Sequence, residues 1–328
     1  MALLMALLVV ALLSAIIVDY AYEVRVEASL IGNRSAQFRA QLAAESAAAL
    51  GMSLLLDDMD NLDGVSGPEF DALTDVWAGG VPYEDYEDGV LRCSVTDEFG
   101  KLNVNALLRA DGETRPVVED ALRALFIARG AEEDPVDAIL DWIDPDDEQR
   151  TTGAEADYYM GMEVSVGCKN APLDSIEELL MVRGVTPDLF FGDPAQDQTP
   201  LTELLTVHGD PSGKVNVNTA RRELLDAFGE ALGRPGLGEI VIQAREEAPF
   251  ESVQDLQARG ILPTQTANPS GESGIPMELE QPATVAGYCY RVHGDGMVND
   301  CKVRVTAYVW RDPAIPGGFR ILDWRTVQ

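Results

Sequence analysis

The chain has 328 residues, enough for two or three compact units. Its formal net charge is -32, from 56 Asp and Glu against 24 Lys and Arg. A field that negative opposes binding to phosphate backbones and suits calcium, cationic partners or a solvated acidic surface.

Met1 to Val18 carries no charge, and eighteen helical residues at ~1.5 Å each come close to the ~30 Å core of a bilayer. The run does not end in a stop signal. It passes through Tyr20 and Tyr22 into the Ala-rich, amphipathic segment FRAQLAAESAAALGMSLLLDDMD. No Pro occurs before Pro68, and Ala, Leu, Glu, Gln and Arg favour helix, so one long helix is predicted over residues 1–60. Three readings fit the apolar part: a cleaved secretory signal, a simple transmembrane anchor, or a pilin-type helix first held in the membrane and later packed into a filament. A signal usually has a basic n-region, and no Lys or Arg precedes Arg25. Seamless continuation into an amphipathic helix favours the pilin type over a simple anchor.

Residues 61–88 read as a loop-rich connection with one short helix near Phe70–Trp77, and 89–96 as a strand. An internal repeat follows. GKLNVNALL, from Gly100, recurs as GKVNVNTARRELL, from Gly213. Downstream, PLDSIEEL with Arg183-Gly184 matches PFESVQDL with Arg259-Gly260. Ser175 and Ser252 stand where N-caps belong, with Glu178 and Asp255 three residues on, and Gly184 and Gly260 stand where helices end. Two related helical units are therefore expected. The first carries an acidic, turn-rich loop, DWIDPDDEQRTTGAEADYY, whose one base is Arg150. Such a loop can supply the six to eight oxygens that calcium takes, although its spacing is not that of an EF-hand; a solvated acidic loop is the alternative.

From about Leu279 the pattern returns to strands, ending with one near Phe319–Arg325. Strands on both sides of a helical block suggest a helical domain inserted into a small sheet domain. Cys289 and Cys301 flank Gly294-Asp295-Gly296; a hairpin turning at Asp295 would set them opposite each other and leave Cys93 to pair with Cys168. Four buried free thiols are the alternative. His208 and His293 lie far apart, and no GxSxG, HExxH or P-loop occurs, so no enzyme is expected.

The second repeat resembles the helix-hairpin-helix modules of membrane-tethered DNA-uptake receptors, but the surroundings of Gly233-Arg-Pro-Gly236-Leu-Gly238 carry little positive charge beyond Arg234. That implies a shared fold without nucleic-acid binding; a membrane-anchored DNA-uptake receptor is the alternative function. Taken together, ALLMALLVVALL, GKLNVNALL, ILDWIDPDDEQRTTGAEADYY, APLDSIEELLMVRGV and KVNVNTA resemble the type II secretion system minor pseudopilin K family. The resemblance implies an α+β fold: a long pilin-like N-terminal helix on a small antiparallel sheet, with a large all-α domain of two repeats inserted into it. Its parts would be the helix at 1–60 (1–18 in membrane or filament core), sheet residues 61–100, the insert at 101–278 with the acidic loop at 141–159, and strands at 279–328. It further implies bound calcium, carried here onto Asp144, Asp146, Glu155 and Asp157, with Asp147 and Glu148 as weaker candidates.

The family's setting is the bacterial inner membrane, crossed once, with the globular part in the periplasm. Implied partners are prepilin peptidase, the I and J minor pseudopilins and the other filament subunits, and the implied role is at the filament tip, in a complex that initiates assembly for export across the outer membrane. Most pilins carry Glu at position 5, which neutralises a neighbour's N-terminal amine; Met5 cannot, which suits a capping subunit if Met1 is the processed, methylated N-terminus. No basic leader ending in Gly precedes Met1, so either the sequence is already processed or its start is misplaced.

Overall fold

The computed structural model describes residues 1–60, 70–131, 134–162, 167–193, 198–262, 282–312, 315 and 318–327. Residues 61–69 of the connection expected over 61–88, and the expected boundary at 278–279, lie outside the described residues.

Helix α1 runs from Ala2 to Asp60 without a break. Nothing in its sequence stops it, and its two halves are stabilised differently. Every residue from Met1 to Ser35 is exposed. From Ala36 on, the helix buries Ala36, Ala40, Ala43, Ala44, Ala47, Ala48 and Leu55 at helical spacing against a sheet. Five antiparallel strands make that sheet, in the order β1-β2-β7-β8-β9. They are β1 (Val81–Tyr86), β2 (Gly89–Asp97), β7 (Cys289–Val298), β8 (Cys301–Arg311) and β9 (Phe319–Val327). Strand β1 falls where a loop was expected. It is an acidic, mostly exposed edge containing Pro82, so it lacks the alternation that announces a half-buried strand. The expected short helix shrinks to α2, Val76–Gly79, which buries Trp77 under the sheet's edge.

The glycines of β7 sit where α1 crosses. A side chain built on Gly296 would collide with the Ala40 carbonyl oxygen, and one on Gly294 with that of Ala44. The Ala stripe and the two glycines bring helix and strand backbones together with no side chain between them. This corrects the hairpin expected at Asp295. The chain turns at Asn299-Asp300, with Val298 opposite Cys301 and Asn299 at φ 51°. Cys289 lies opposite Trp310, at the far end of the ladder from Cys301. Cys93 is buried in β2 beneath Gly51 of α1, and Cys168 lies in the helical unit. All four are free thiols, so neither expected disulfide is present.

Between β2 and β7 the chain builds a second hydrophobic core. It contains α3 (Pro116–Ala128), α4 (Val136–Ile143), α5 (Ala156–Met160), α6 (Pro187–Phe191), α7 (Arg222–Ala231), α8 (Leu237–Glu247) and α9 (Val253–Ala258). Four two-residue strands join them. Strand β3 (Leu102–Asn103) pairs in parallel with β4 (Leu205–Thr206), and β5 (Val215–Asn216) with β6 (Ala283–Thr284).

The repeat seen in the sequence is a repeat of hydrogen bonds. Asn105 exchanges two bonds with the Leu173 backbone, giving its amide to the carbonyl at 3.0 Å and accepting the N–H at 2.7 Å. Asn218 does the same with Phe250, both at 2.9 Å. The preceding asparagines, Asn103 and Asn216, accept from the backbone N–H of Asn105 and Asn218, each at 3.0 Å. Ser175 caps its turn in a full capping box with Glu178, and the Ser252 hydroxyl accepts from the Asp255 N–H at 3.1 Å. Gly184 and Gly260 take the left-handed conformation, with φ 84° and 74°.

Buried charge joins the two units. Glu98, just past β2, takes a bond from Lys101 at 2.6 Å and faces Arg291 of β7, which reaches Glu203 at 2.8 Å. Beside it, the buried Asp97 carboxylate accepts from Asn216, Thr219 and the Phe99 N–H. Burial pushes Asp97 up to about 7 even so.

Candidate metal centre

Helix α4 is apolar on the face that meets the core, and its last turn carries Asp141 inward, fully buried. Pro145 cannot continue the helix, and Asp144 closes it by donating its N–H to the Leu140 carbonyl at 2.9 Å. Asp146 then accepts the Glu148 N–H at 2.8 Å, an Asx turn that starts the loop back. The return is anchored twice. The Thr152 N–H and hydroxyl bond Asp137, and the Arg150 N–H and guanidinium bond Asp141, the latter at 2.8 Å. Gly153 has no side chain because the Asp141 carboxylate fills the space one would take. Tyr159 of α5 packs edge-on against Trp142 of α4 at 5.0 Å, which sets Glu155, the residue before α5, opposite Asp144.

The result gathers three of the six expected ligands. Oxygens of Asp144, Asp146 and Glu155 lie within 4.8 Å of one another. Asp147, Glu148 and Asp157 are exposed and outside that group. Asp147 accepts from the Asn170 side chain at 3.0 Å, and Asp157 lies in the first turn of α5. Composition could not separate these carboxylates, because the choice depends on the turn at Pro145 and on the packing of α5.

The group is unsatisfied. Asp144 is 3% exposed and Glu155 5%. Oδ1 of Asp144 has no hydrogen-bond donor, the Glu155 oxygens have none beyond the weak Cys168 thiol beside them, and Asn170 Oδ1 on the adjoining loop has none either. Burial, then the charges of Asp141, Asp144 and Asp147, pushes Glu155 up to about 7. Asp144 is raised by burial against the pull of Arg150. Buried acceptors without donors cost free energy, and a hard cation with oxygen ligands meets that need. Carboxylate oxygens with a carboxamide oxygen nearby fit calcium, whereas the site offers no imidazole. Cys168 is a neighbour that composition did not flag. Its thiol donates to the Asp141 carbonyl at 3.5 Å, and burial pushes it up to about 11.

One other acidic group lies among the described residues: Asp58, Asp71 and Asp75. It already contains a cation. Arg311 reaches Asp71 at 2.5 Å and Asp58 at 3.1 Å, and Asp71 also accepts from Tyr290 and the Gly287 N–H. It ties the end of α1 and the segment after it to the sheet. The histidines belong to neither group. His208 packs on Tyr308 at 4.3 Å, and His293 is bonded to Thr306 and held down at about 4 by burial.

In the hairpin between α7 and α8, Arg234 gives its guanidinium to the carbonyls of Gly260 and Ile261. Glu239 at the start of α8 pairs with Arg222 at 2.7 Å. The one base of that hairpin is spent inside the fold, and the adjoining helix end presents a carboxylate.

Family models described as type II secretion system protein K match residues 100–191 and 215–272, one on each repeat. The type II secretion system protein K of Aeromonas hydrophila is 30% identical over 237 residues, covering 68% of this chain and 67% of that protein. The chain belongs to the type II secretion system protein K family. The Pseudomonas aeruginosa protein K is 28% identical over 196 residues, 57% of this chain and 54% of that protein, so the chain spans about half the length of that relative. A chain of the GspK-GspI-GspJ complex from the enterotoxigenic Escherichia coli type 2 secretion system shares the fold. It superposes with a TM-score of 0.66 at 20% identity, over 92% of this chain and 99% of that one. The protein K family thus accounts for the long helix, the antiparallel sheet and the paired helical repeats together.

Proposed function

We propose that this protein K is a minor, non-enzymatic pseudopilin that caps a type II secretion pseudopilus and starts its assembly with the I and J pseudopilins. The observation that carries the reading is α1. Its first 35 residues are apolar or amphipathic and wholly uncovered, while the second half is fixed to the sheet. Such a helix needs lipid or other helices around it, and it is long and apolar enough to cross a membrane. The anchor lies in the inner membrane, prepilin peptidase processes and methylates the N-terminus, and the globular part faces the periplasm. Met5 offers no carboxylate to the amine of a subunit above it, which suits the topmost place. Calcium is held at Asp144, Asp146 and Glu155, and its role is structural: it satisfies the buried oxygens of the loop that closes the first repeat.

The test is co-purification of the full chain in detergent with the I and J pseudopilins, in calcium and in chelator. A stoichiometric three-protein complex supports the tip role, and its loss in chelator ties the loop to the interface. Absence of a complex in both conditions refutes it.

A further inference from the structure

The acidic loop holds one positive charge of its own, and its placement is specific. The Arg150 guanidinium bonds Asp141 at 2.8 Å and also Oδ2 of Asp144. It therefore occupies one oxygen of a candidate ligand and leaves the other, Oδ1, without a donor. Its own backbone N–H points at the same Asp141 carboxylate, at 3.2 and 3.3 Å, so the side chain and main chain of one residue lock it in place. Asp141 has no exposure, and the Asp144 side chain little, so Arg150 is the positive charge paired with both of these acids inside the protein. Glu155, the third wall of the site, receives nothing from it.

We propose that Arg150 is a resident counter-ion that sets calcium affinity: it holds the loop folded without metal and, by its charge, weakens the bound ion. This inference rests on the calcium reading above. A guanidinium bonded to a ligand carboxylate stands within a few ångströms of any ion on that carboxylate's other oxygen. The repulsion lowers affinity, while the neutralisation keeps the metal-free loop from flying apart. Two properties that a bare acidic loop would couple, tight binding and metal-free collapse, are both moderated by one residue.

The experiment is calorimetric titration of calcium chloride into the chelator-treated full chain in detergent, for wild type, Arg150→Gln and Arg150→Lys, with melting temperatures in chelator. Arg150→Gln should bind calcium about tenfold more tightly, since one unit charge near the ion is removed, and should melt lower in chelator. Arg150→Lys keeps the charge and should stay within about threefold of wild-type affinity. If Arg150→Gln unfolds in chelator, the free calcium at which it refolds gives the same affinity. Equal or weaker binding by Arg150→Gln overturns the proposal while leaving wild-type calcium binding intact. No binding by wild type or by either variant overturns the calcium reading and the proposal with it.

Discussion

Replacing Glu155 with Gln removes one charge and almost no volume, at a position 5% exposed where the carboxylate has no donor beyond the weak Cys168 thiol. Glu155 stands at about 7 in the folded chain against an ordinary 4.5. A carboxyl raised by folding favours the folded state while it is protonated in that state, and the advantage is lost as pH rises from about 4.5 through about 7. The difference is worth about 3 kcal/mol above pH 8 and falls to about 1 kcal/mol at pH 5, where the folded carboxyl keeps its proton. Glu155→Gln should therefore stabilise the metal-free chain by about that amount at pH 8, because the amide has no charge to lose to burial. Calcium should close most of that gap, because wild type gains about 2.7 kcal/mol at a hundred times its Kd and the variant, lacking a ligand charge, gains far less. Chemical denaturation of the full chain in detergent, at pH 5 and 8, in chelator and in calcium, reads all four values. No gain for Glu155→Gln at pH 8 in chelator, or an equal gain at pH 5, would show that burial of the Glu155 charge does not destabilise the metal-free chain, and equal stabilisation of both proteins by calcium would show that Glu155 is not a ligand.

Gly296→Ala puts one methyl group against the Ala40 carbonyl and should cost about 3 kcal/mol, whereas Gly79→Ala, with open space around it, should stay within about 0.5 kcal/mol; denaturation midpoints compare them. Lys101→Met leaves buried Glu98 with Arg291, at 3.4 Å, as its one nearby cation beside the Thr206 hydroxyl, and should destabilise the chain by about 3 kcal/mol. A Lys101→Met, Glu98→Gln double variant should recover part of that loss, and a strictly additive double variant would show that the pair does not interact.

Features that rest on neighbours along the chain were legible in the sequence. Helix α1 follows from an unbroken run of helix formers, the paired asparagines and capped turns from two copies of one local motif, and the acidic loop from its composition. It also held the family's pattern across both repeats. Tertiary structure decided whatever depends on residues far apart. Gly294 and Gly296 read locally as a turn, yet they are mid-strand because a helix from the other end of the chain lies on them. That choice moved the turn to Asn299 and separated the cysteines. The sequence ranked Asp144, Asp146 and Glu155 equal to Asp157, and set Asp147 and Glu148 only somewhat lower. Only the edge-on packing of Tyr159 on Trp142 and the lock of Arg150 on Asp141 bring the first three together. Local propensity acts over a turn or two of chain, whereas burial and charge are settled by whatever the fold brings within a few ångströms.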